Sequence, residues 1–284
     1  MSDDFRAWIG RTEHVEDPLC AVQAHAAQAT LDDAGAPLAD GQPLPLPWHW
    51  FYFLPRAPQA ALDADGHPQR GGFLPPIPYP RRMFAGARLR VHRPLVLGTP
   101  AVREGTIRDI VQKSGKSGAL AFVTVSYRFM QEGVVCIEEE QDIVYREPGA
   151  AVGAPVPAPL PPLAAGAWSR TLQPDSRLLF RFSALTFNAH RIHYDRPYAT
   201  QEEGYPGLVV HGPLTAVLLA LLVRQGTARP IVAFSFRGVA PLFDLGPVRL
   251  VATPGDDAVA LEAQGPDGRV ALVAAAELGP LPAR

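Results

Sequence analysis

One block of this chain is dense in proline, and that block limits the possible fold more than any other feature of the sequence. Residues 148–162 read PGAAVGAPVPAPLPP, in a chain of 284 residues that contains 31 prolines. Proline fixes φ and lacks a backbone N–H, so the block excludes a helix or a central strand. It predicts an extended linker that separates two halves of the chain.

In each half, a predicted helix is followed by four strand signals. The first-half helix opens at Asp17-Pro18 and ends at Leu31, and the second-half helix covers 213–224. The first-half strand signals lie at 89–97, 106–112, 121–129 and 134–145. The second-half strand signals lie at 231–237, 248–253, 259–263 and 270–278. Alternating apolar residues and turn-forming breakers favour antiparallel meanders in both halves.

This repetition predicts an α+β fold with two similar halves. We place an N-terminal domain at 1–147, the linker at 148–167 and a C-terminal domain at 168–284. One helix followed by an antiparallel meander, twice, is the organisation of a double hotdog, in which each curved sheet wraps a long helix. The pattern alone leaves other α+β folds with two halves open.

The composition excludes several classes of protein. A hydrophobic share of 47% and a charged share of 19% are typical of a globular chain. The formal net charge of −2, without a strongly basic block, argues against a nucleic-acid partner. The apolar run at 213–223 is shorter than the roughly 20 residues that cross a bilayer, and the start MSDDFRAWIG does not resemble a signal peptide. We therefore expect a cytoplasmic protein with no membrane partner.

The cysteines and the acidic residues give no sign of a metal site. Cys20 and Cys136 are far apart and fit no zinc-ligand spacing, so we expect small buried thiols in a reduced compartment. The triplet Glu138-Glu139-Glu140 is interpreted as a solvated strand face or as protection of a sheet edge. The sequence therefore predicts neither a metal nor a redox cofactor.

Residues 182–211 carry the densest set of groups that can transfer protons. The segment reads FSALTFNAHRIHYDRPYATQEEGYPGLVVH and is followed by the apolar run PLTAVLLALL. Histidine is the side chain whose unperturbed pKa lies nearest neutral pH, which suits it to general acid–base chemistry. We therefore expect the reactive site in this segment.

The same segment resembles the signature of the MaoC-like (R)-specific enoyl-CoA hydratases and dehydratases. The resemblance places His193 at the catalytic histidine, Asp195 at the acidic residue two positions later, and His211-Gly212 at a His-Gly pair. It implies the double hotdog fold and hydration of an α,β-unsaturated acyl thioester. Coenzyme A would then belong to the substrate, and no separate cofactor is expected.

Two departures from that signature point to a subgroup. Asn188 stands where those hydratases carry an aspartate, and His190 stands where they carry an asparagine. The run TFNAHRIHYD is similar instead to mitochondrial-type 3-hydroxyacyl-thioester dehydratases and to mesaconyl-CoA (3-methylfumaryl-CoA) and itaconyl-CoA hydratases. First-half segments at 8–11, 47–51 and 71–86 carry the same resemblance, so it covers nearly the whole chain.

The resemblance implies roles for three catalytic candidates. His193 is expected to activate water and, in reverse, to act as the acid; the alternative is a core histidine. Asn188 cannot transfer a proton but could orient the water or bond the substrate, unless it only caps a turn. Gly212, at the start of the second-half helix, is expected to donate its N–H to the enolate oxygen, or otherwise to allow close packing. With Asn188 in place of an aspartate, we expect His193 to serve both proton transfers.

Further residues are candidates for substrate binding. Arg191 could pair with a free carboxylate of the substrate, or brace the loop by pairing with Asp195. Trp48 belongs to an aromatic block at 48–52 that is either core or a wall of the acyl pocket. Arg81 and Arg82, in a loop before a strand, could meet the phosphates of coenzyme A. The remaining candidates flank the base or the helix start: His190, Tyr194 and His211.

The expected reaction is hydration of a branched dicarboxylic enoyl-CoA, of mesaconyl or itaconyl type, to give citramalyl-CoA. A dehydratase of 3-hydroxyacyl thioesters in fatty-acid metabolism is the first alternative, and a hotdog thioesterase is weighed beside it. A third interpretation is a non-catalytic acyl-thioester binding subunit. Because two tandem hotdogs already form a pseudo-dimer, a monomer or a homodimer is expected.

Overall fold

The computed structural model describes residues 5–115, 118–149 and 152–281. In these ranges ten strands form one antiparallel sheet, accompanied by three α-helices and several short helical turns. The strands are β1 Thr12–Asp17, β2 Arg81–Val91, β3 Ala101–Gly115, β4 Gly118–Gln131, β5 Val134–Arg146, β6 Trp168–Leu172, β7 Ile231–Gly238, β8 Val248–Pro254, β9 Ala258–Gln264 and β10 Val270–Leu278. The helices are α1 Ala21–Leu31, α2 Ser176–Leu185 and α3 Gly212–Gly226.

The two halves join edge to edge in the middle of the sheet. The strand order is β1-β3-β4-β5-β2-β7-β10-β9-β8-β6, so strands of the first half and strands of the second half form separate, adjacent blocks. The halves meet where β2 pairs with β7, with Gly86 opposite Arg237. Phe84 and Phe236 pack edge to face there, with ring centroids 5.4 Å apart. The sheet thus brings residues of both halves together at this junction.

Helix α3 forms the centre of the second half. Its residues from Leu214 to Val223 are all buried, and it contacts β2 together with β6 to β10. A helix that is apolar on every side is stable when it is enclosed, here by the curved sheet. The predicted helix is confirmed: Pro213 lies in its first turn and His211 precedes it as the N-cap.

The first-half helix is shorter than predicted. It begins at Ala21, because Asp17 ends β1 and uses its carboxylate to accept hydrogen bonds from the backbone N–H groups of Leu19 and Phe53. Helix α1 packs against α2 and the turn Trp48–Phe51 rather than lying deep in the sheet. The strands β1 and β6 and the helix α2 have no counterpart among the predicted elements.

The prediction of a loop at Arg81 and Arg82 is wrong, and the solvated strand face predicted at 138–140 holds for Glu138 and Glu140 but not for Glu139. Arg81 and Arg82 begin β2 itself, where they pair with Arg146 and Tyr145, and do not lie in a preceding loop. Glu139 is 1% exposed, because β5 lies between β4 and β2 inside the sheet and turns this side chain inward. Cys136 is buried as expected, whereas Cys20 is exposed.

The proline block has no helix or strand in its described parts, residues 148–149 and 152–162, as its composition predicts; residues 150 and 151 lie outside the described ranges. Ala158 donates its backbone N–H to Pro266 O, and Arg249 donates to Pro161 O at 2.6 Å, so the segment follows the surface of the second half. The domain limits at 147 and 168 stay a prediction. Among the described helices, none is both long enough and apolar enough to cross a membrane.

Candidate active site

A cavity of about 1010 Å³ lies at the junction of the two halves. Its first-half wall includes His49, Trp50, Arg81, Arg82, Phe84 and Phe129. Its second-half wall includes Phe182, Asn188, His190, His193, His211 and Gly212. Most of the candidate site residues are therefore in one cavity, whose volume is large enough for an extended acyl thioester.

His193 lies at the end of the short turn Arg191–His193 and lines the cavity. Its Nδ1 is 2.7 Å from the backbone oxygen of Val209, so Nδ1–H is the donor and Nε2 is left as an acceptor. Burial lowers the pKa of His193 to about 4. The side chain is therefore a neutral imidazole at pH 7, as a general base requires.

His211 stacks on His193, with ring centroids 3.6 Å apart and an interplanar angle of 19°. The Nε2 atom of His211 is 2.8 Å from Ser183 Oγ, which comes from the buried face of α2. Burial, and then the nearby His193 and His190, hold the pKa of His211 well below its usual value. His211 thus fixes the plane of the His193 ring without adding a positive charge.

Asn188 forms a turn and also lines the cavity. Its Oδ1 accepts a hydrogen bond from the backbone N–H of His190 at 3.0 Å. The backbone N–H of Asn188 donates to Ser183 O. Asn188 therefore takes part in a turn. Because the carbonyl oxygen is occupied by His190, the amide Nδ2 is the group that Asn188 can present to a ligand.

Gly212 is the first residue of α3 and lies on the cavity wall. The backbone N–H groups of the first helical turn have no partner within the helix, and the helix dipole favours negative charge at this end. A Cβ atom at this position would contact Phe84 O at 3.7 Å, an ordinary distance. Packing against Phe84 therefore does not require a glycine at this position.

Arg191 and Trp48 lie outside the described lining of the cavity. The Arg191 guanidinium donates to Asp195 Oδ2 at 2.8 and 3.0 Å and to Ala64 O at 3.0 Å. This is the structural brace that the sequence offered as the alternative.

Trp48 is 1% exposed and packs in the core; the adjacent His49 and Trp50 line the cavity instead. Tyr194 does line it and donates its hydroxyl to Ala189 O.

The first two arginines of β2, Arg81 and Arg82, differ in their partners. Arg81 pairs with Glu203 at 3.1 Å and lies over the ring of Tyr205. Arg82 has no ion pair with a carboxylate in the described part of the chain. Its charge nevertheless lowers the pKa of His67, after burial, which is the larger cause. Arg82 is therefore a cationic group of the cavity that is close to an imidazole.

Sequence reasoning missed Asp65 and His67. The His67 Nδ1 is 2.9 Å from Asp65 Oδ2, and the His67 ring lies 4.0 Å from that of His190. Ligand atoms of these three residues lie within 4.8 Å of one another, a spacing that a divalent cation could use. In this arrangement, however, the carboxylate is bonded to the imidazole. The Asp-Gly-His run at 65–67 signals only a turn, and its place beside His190 depends on the tertiary fold.

Comparison with known proteins decides the family. The family model described as hydroxyacyl-thioester dehydratase type 2 matches residues 47–244. The chain belongs to this family. It is 70% identical to the mesaconyl-C(4)-CoA hydratase of Chloroflexus aurantiacus, over 98% of this chain and 99% of that protein. It is 28% identical to the mitochondrial hydroxyacyl-thioester dehydratase type 2 of Schizosaccharomyces pombe, over 72% of this chain and 75% of that protein.

Solved structures show the same fold as this member of the dehydratase type 2 family. A MaoC-like dehydratase superposes with a TM-score of 0.72 at 13% identity, covering 96% of this chain and 98% of the other. A Mycobacterium tuberculosis protein with a double hotdog fold superposes with a TM-score of 0.59 at 14% identity, covering 95% of this chain and 96% of the other. The predicted double hotdog is confirmed, and the chain is a hydro-lyase of acyl thioesters.

Proposed function

We propose that the protein hydrates mesaconyl-C4-CoA (3-methylfumaryl-CoA) reversibly to citramalyl-CoA. The observation that carries this proposal is the 70% identity with a mesaconyl-C(4)-CoA hydratase, which extends over nearly the full length of both chains. The cavity is consistent with such a substrate, because it combines apolar walls with cationic groups and a buried neutral base.

The reaction requires a base, an oxyanion donor and a source of a proton. Water adds its oxygen to the β-carbon, which carries the methyl group and the free carboxylate. The electron pair of the double bond moves to the thioester oxygen as an enolate, and a proton is then added to the α-carbon. The water loses one proton and the α-carbon gains one, so the sum is the addition of one water molecule.

We assign the activation of water to His193 and the enolate oxygen to the N–H of Gly212. His193 Nε2 is the acceptor because Nδ1 is bonded to Val209 O. Gly212 adds the positive end of α3 to its N–H, and in a dry site such a donor stabilises developing negative charge. Asn188 would orient the water through Nδ2, since its oxygen is occupied by His190.

We assign the free carboxylate of the substrate to Arg82 instead of Arg191. Arg82 lines the cavity close to His67, whereas Arg191 is paired with Asp195 and is outside the lining. A planar guanidinium can bind a carboxylate with two parallel hydrogen bonds. Arg81, His190, Tyr194 and His211 remain candidates for other contacts with the acyl-CoA, with Arg81 assigned to a coenzyme A phosphate.

The dehydration of 3-hydroxyacyl thioesters in fatty-acid metabolism is the second candidate. It is favoured by the family model and by the 28% identity with the Schizosaccharomyces pombe protein. Itaconyl-CoA is a third possible substrate on the basis of sequence resemblance. We propose a cytoplasmic monomer or homodimer, since the joined halves already form one continuous sheet.

The test follows the loss of the enoyl-thioester absorbance with purified protein and three substrates: mesaconyl-C4-CoA, itaconyl-CoA and crotonyl-CoA. Rapid loss with mesaconyl-C4-CoA and little loss with crotonyl-CoA is the expected result. The opposite preference would contradict the proposal and favour the lipid-type dehydratase. A thiol reagent in parallel detects release of free coenzyme A, which would indicate a thioesterase.

A further inference from the structure

His67 lines the cavity from the first half of the chain, and its side chain is paired with Asp65. The Nδ1–Oδ2 distance is 2.9 Å, and the backbone N–H of His67 also donates to Asp65 Oδ1 at 2.8 Å. The two side chains are only 15% and 14% exposed. A carboxylate that binds one imidazole nitrogen fixes the tautomer and stabilises the imidazolium form, so the other nitrogen is suited to proton transfer.

His67 is also the end of a row of imidazole rings. The ring centroids of His67 and His190 are 4.0 Å apart, those of His190 and His193 are 5.3 Å apart, and His211 follows. All four histidines line the cavity. Among the described residues, Asp65 is the carboxylate that is hydrogen-bonded to this row. A single proton on the row is therefore best stabilised at His67.

The surroundings of His67 and His193 differ. Burial lowers the pKa of His193 to about 4, which makes it a neutral acceptor. The pKa of His67 is also lowered, by burial and then by the charge of Arg82, although the hydrogen bond and charge of Asp65 oppose this shift. A substrate carboxylate bound to Arg82 would cancel part of the opposing charge and favour protonation of His67. Two groups with environments that differ in this way are suited to the roles of base and acid.

We propose that His67, oriented by Asp65, is a second catalytic residue that delivers the proton to the α-carbon, while His193 removes the proton from water. This inference rests on the hydration proposed above and replaces the prediction that His193 serves both transfers. The O–H bond of water breaks toward His193 Nε2, and the oxygen bonds to the β-carbon. The N–H bond of the His67 imidazolium then breaks as the α-carbon gains its hydrogen. In one turnover His193 gains the proton that water loses and His67 loses the proton that the α-carbon gains, and exchange with solvent restores both rings.

The experiment measures exchange at the α-carbon separately from hydration. Citramalyl-CoA is incubated with enzyme in D₂O, and mass spectrometry follows the gain of one deuterium in the recovered thioester. His193→Ala should lose formation of the enoyl thioester but keep exchange within about 10-fold of wild type. His67→Gln should lose exchange and hydration by about 10²-fold or more, the usual effect of removing a general acid.

Matched variants exclude a merely structural effect. His92 forms an exposed pair with Glu138 at 2.8 Å, so His92→Gln removes a histidine–carboxylate pair elsewhere and should leave both rates unchanged. Asp65→Asn keeps the size of the side chain. It should slow exchange at the α-carbon while the melting temperature stays near that of the wild-type protein. It also provides the test if His67→Gln does not fold.

Three results would overturn the inference. Exchange that is lost in His193→Ala but retained in His67→Gln would assign both proton transfers to His193. Near wild-type turnover of His67→Gln would remove His67 from the reaction. Loss of wild-type activity after treatment with EDTA would assign the Asp65, His67 and His190 cluster to a metal ion.

If the wild-type protein hydrates crotonyl-CoA but not mesaconyl-C4-CoA, the exchange experiment is done with 3-hydroxybutyryl-CoA. The substrate proposal then fails independently of this one.

Discussion

Gly66 approaches Ala189 so closely that a Cβ atom at position 66 would lie 1.8 Å from the carbonyl oxygen of Ala189. Gly66 also has a φ of +91°, a conformation that glycine adopts without penalty. The backbone N–H of Arg191 donates to Asp65 O at 2.9 Å beside this contact. Two backbone segments from different halves are therefore held together where the imidazole row crosses between them.

Gly66→Ala should separate these segments and reduce hydration by about 10-fold or more, since displacement of a catalytic group by about 1 Å has large effects. The matched control is Gly10→Ala, because Gly10 has a φ of +86° but nothing within 4 Å of a Cβ atom. Both variants carry the backbone strain, and only the first carries the clash. Equal turnover of the two variants would show that the contact does not position the site.

His193→Ala should abolish nearly all turnover, by about 10²-fold or more, because the neutral acceptor nitrogen is lost. The backbone at this position is held by a hydrogen bond from the His193 N–H to His190 O, which the substitution leaves in place. The circular dichroism spectrum and the unfolding transition should therefore remain cooperative. Hydration by this variant at a rate near that of wild type would remove His193 from the mechanism.

The parts of the fold that were predicted correctly depend on local patterns. Helix α3 follows from an apolar run that begins after His211-Gly212, and the second-half strands follow from alternating residues between turns. Helix α2 was missed because its sequence, SRLLFRFSAL, is short and places Phe180 on an exposed face. Its Asp175 cap, which accepts a hydrogen bond from Leu178 N, was the available signal.

The site was predicted only where one segment supplies it. His193, Asn188 and Gly212 are within 25 residues of one another, and their motif carries a family resemblance. Asp65 and His67 are more than 100 residues from His190 in the sequence, and only the docking of Gly66 brings them together. The role of Arg191 stayed open because the sequence could not show whether its guanidinium faces Asp195 or the cavity.

Arg82→Gln should raise the KM for mesaconyl-C4-CoA by about 10-fold or more, because a charge-assisted pair with the free carboxylate is lost. Hydration of crotonyl-CoA, which has no such carboxylate, should change little if the protein accepts it. Arg90→Gln, at an exposed position of the same strand, is the control for a general loss of positive charge. An equal effect on both substrates would instead assign Arg82 to the coenzyme A portion.

The stability of the protein should fall as the pH decreases below the ordinary histidine pKa of 6.5. Burial lowers the pKa of His190, His193 and His211 in the folded protein, to about 4 for His193. The unfolded chain therefore binds protons that the native state excludes, and the stabilisation present above pH 6.5 is lost as the pH falls toward 4. Urea unfolding at pH 7, 6 and 5 measures this slope. His193→Gln should make it shallower, whereas His92→Gln should not.

Glu139→Ala should lower the free energy of unfolding by about 3–5 kcal/mol, the usual cost of removing one member of a buried polar pair. The Glu139 carboxylate is 2.6 Å from His49 Nε2 and accepts hydrogen bonds from Trp50 Nε1 at 2.9 Å and Gln141 Nε2 at 2.6 Å. Its removal leaves the buried His49 and the half-buried Trp50 and Gln141 without this partner. Glu138→Ala is the matched control, since that carboxylate is 53% exposed and pairs with an exposed histidine. Its effect should stay within about 0.5 kcal/mol. Similar midpoints of urea unfolding for the two variants would show that the buried pair does not stabilise the fold.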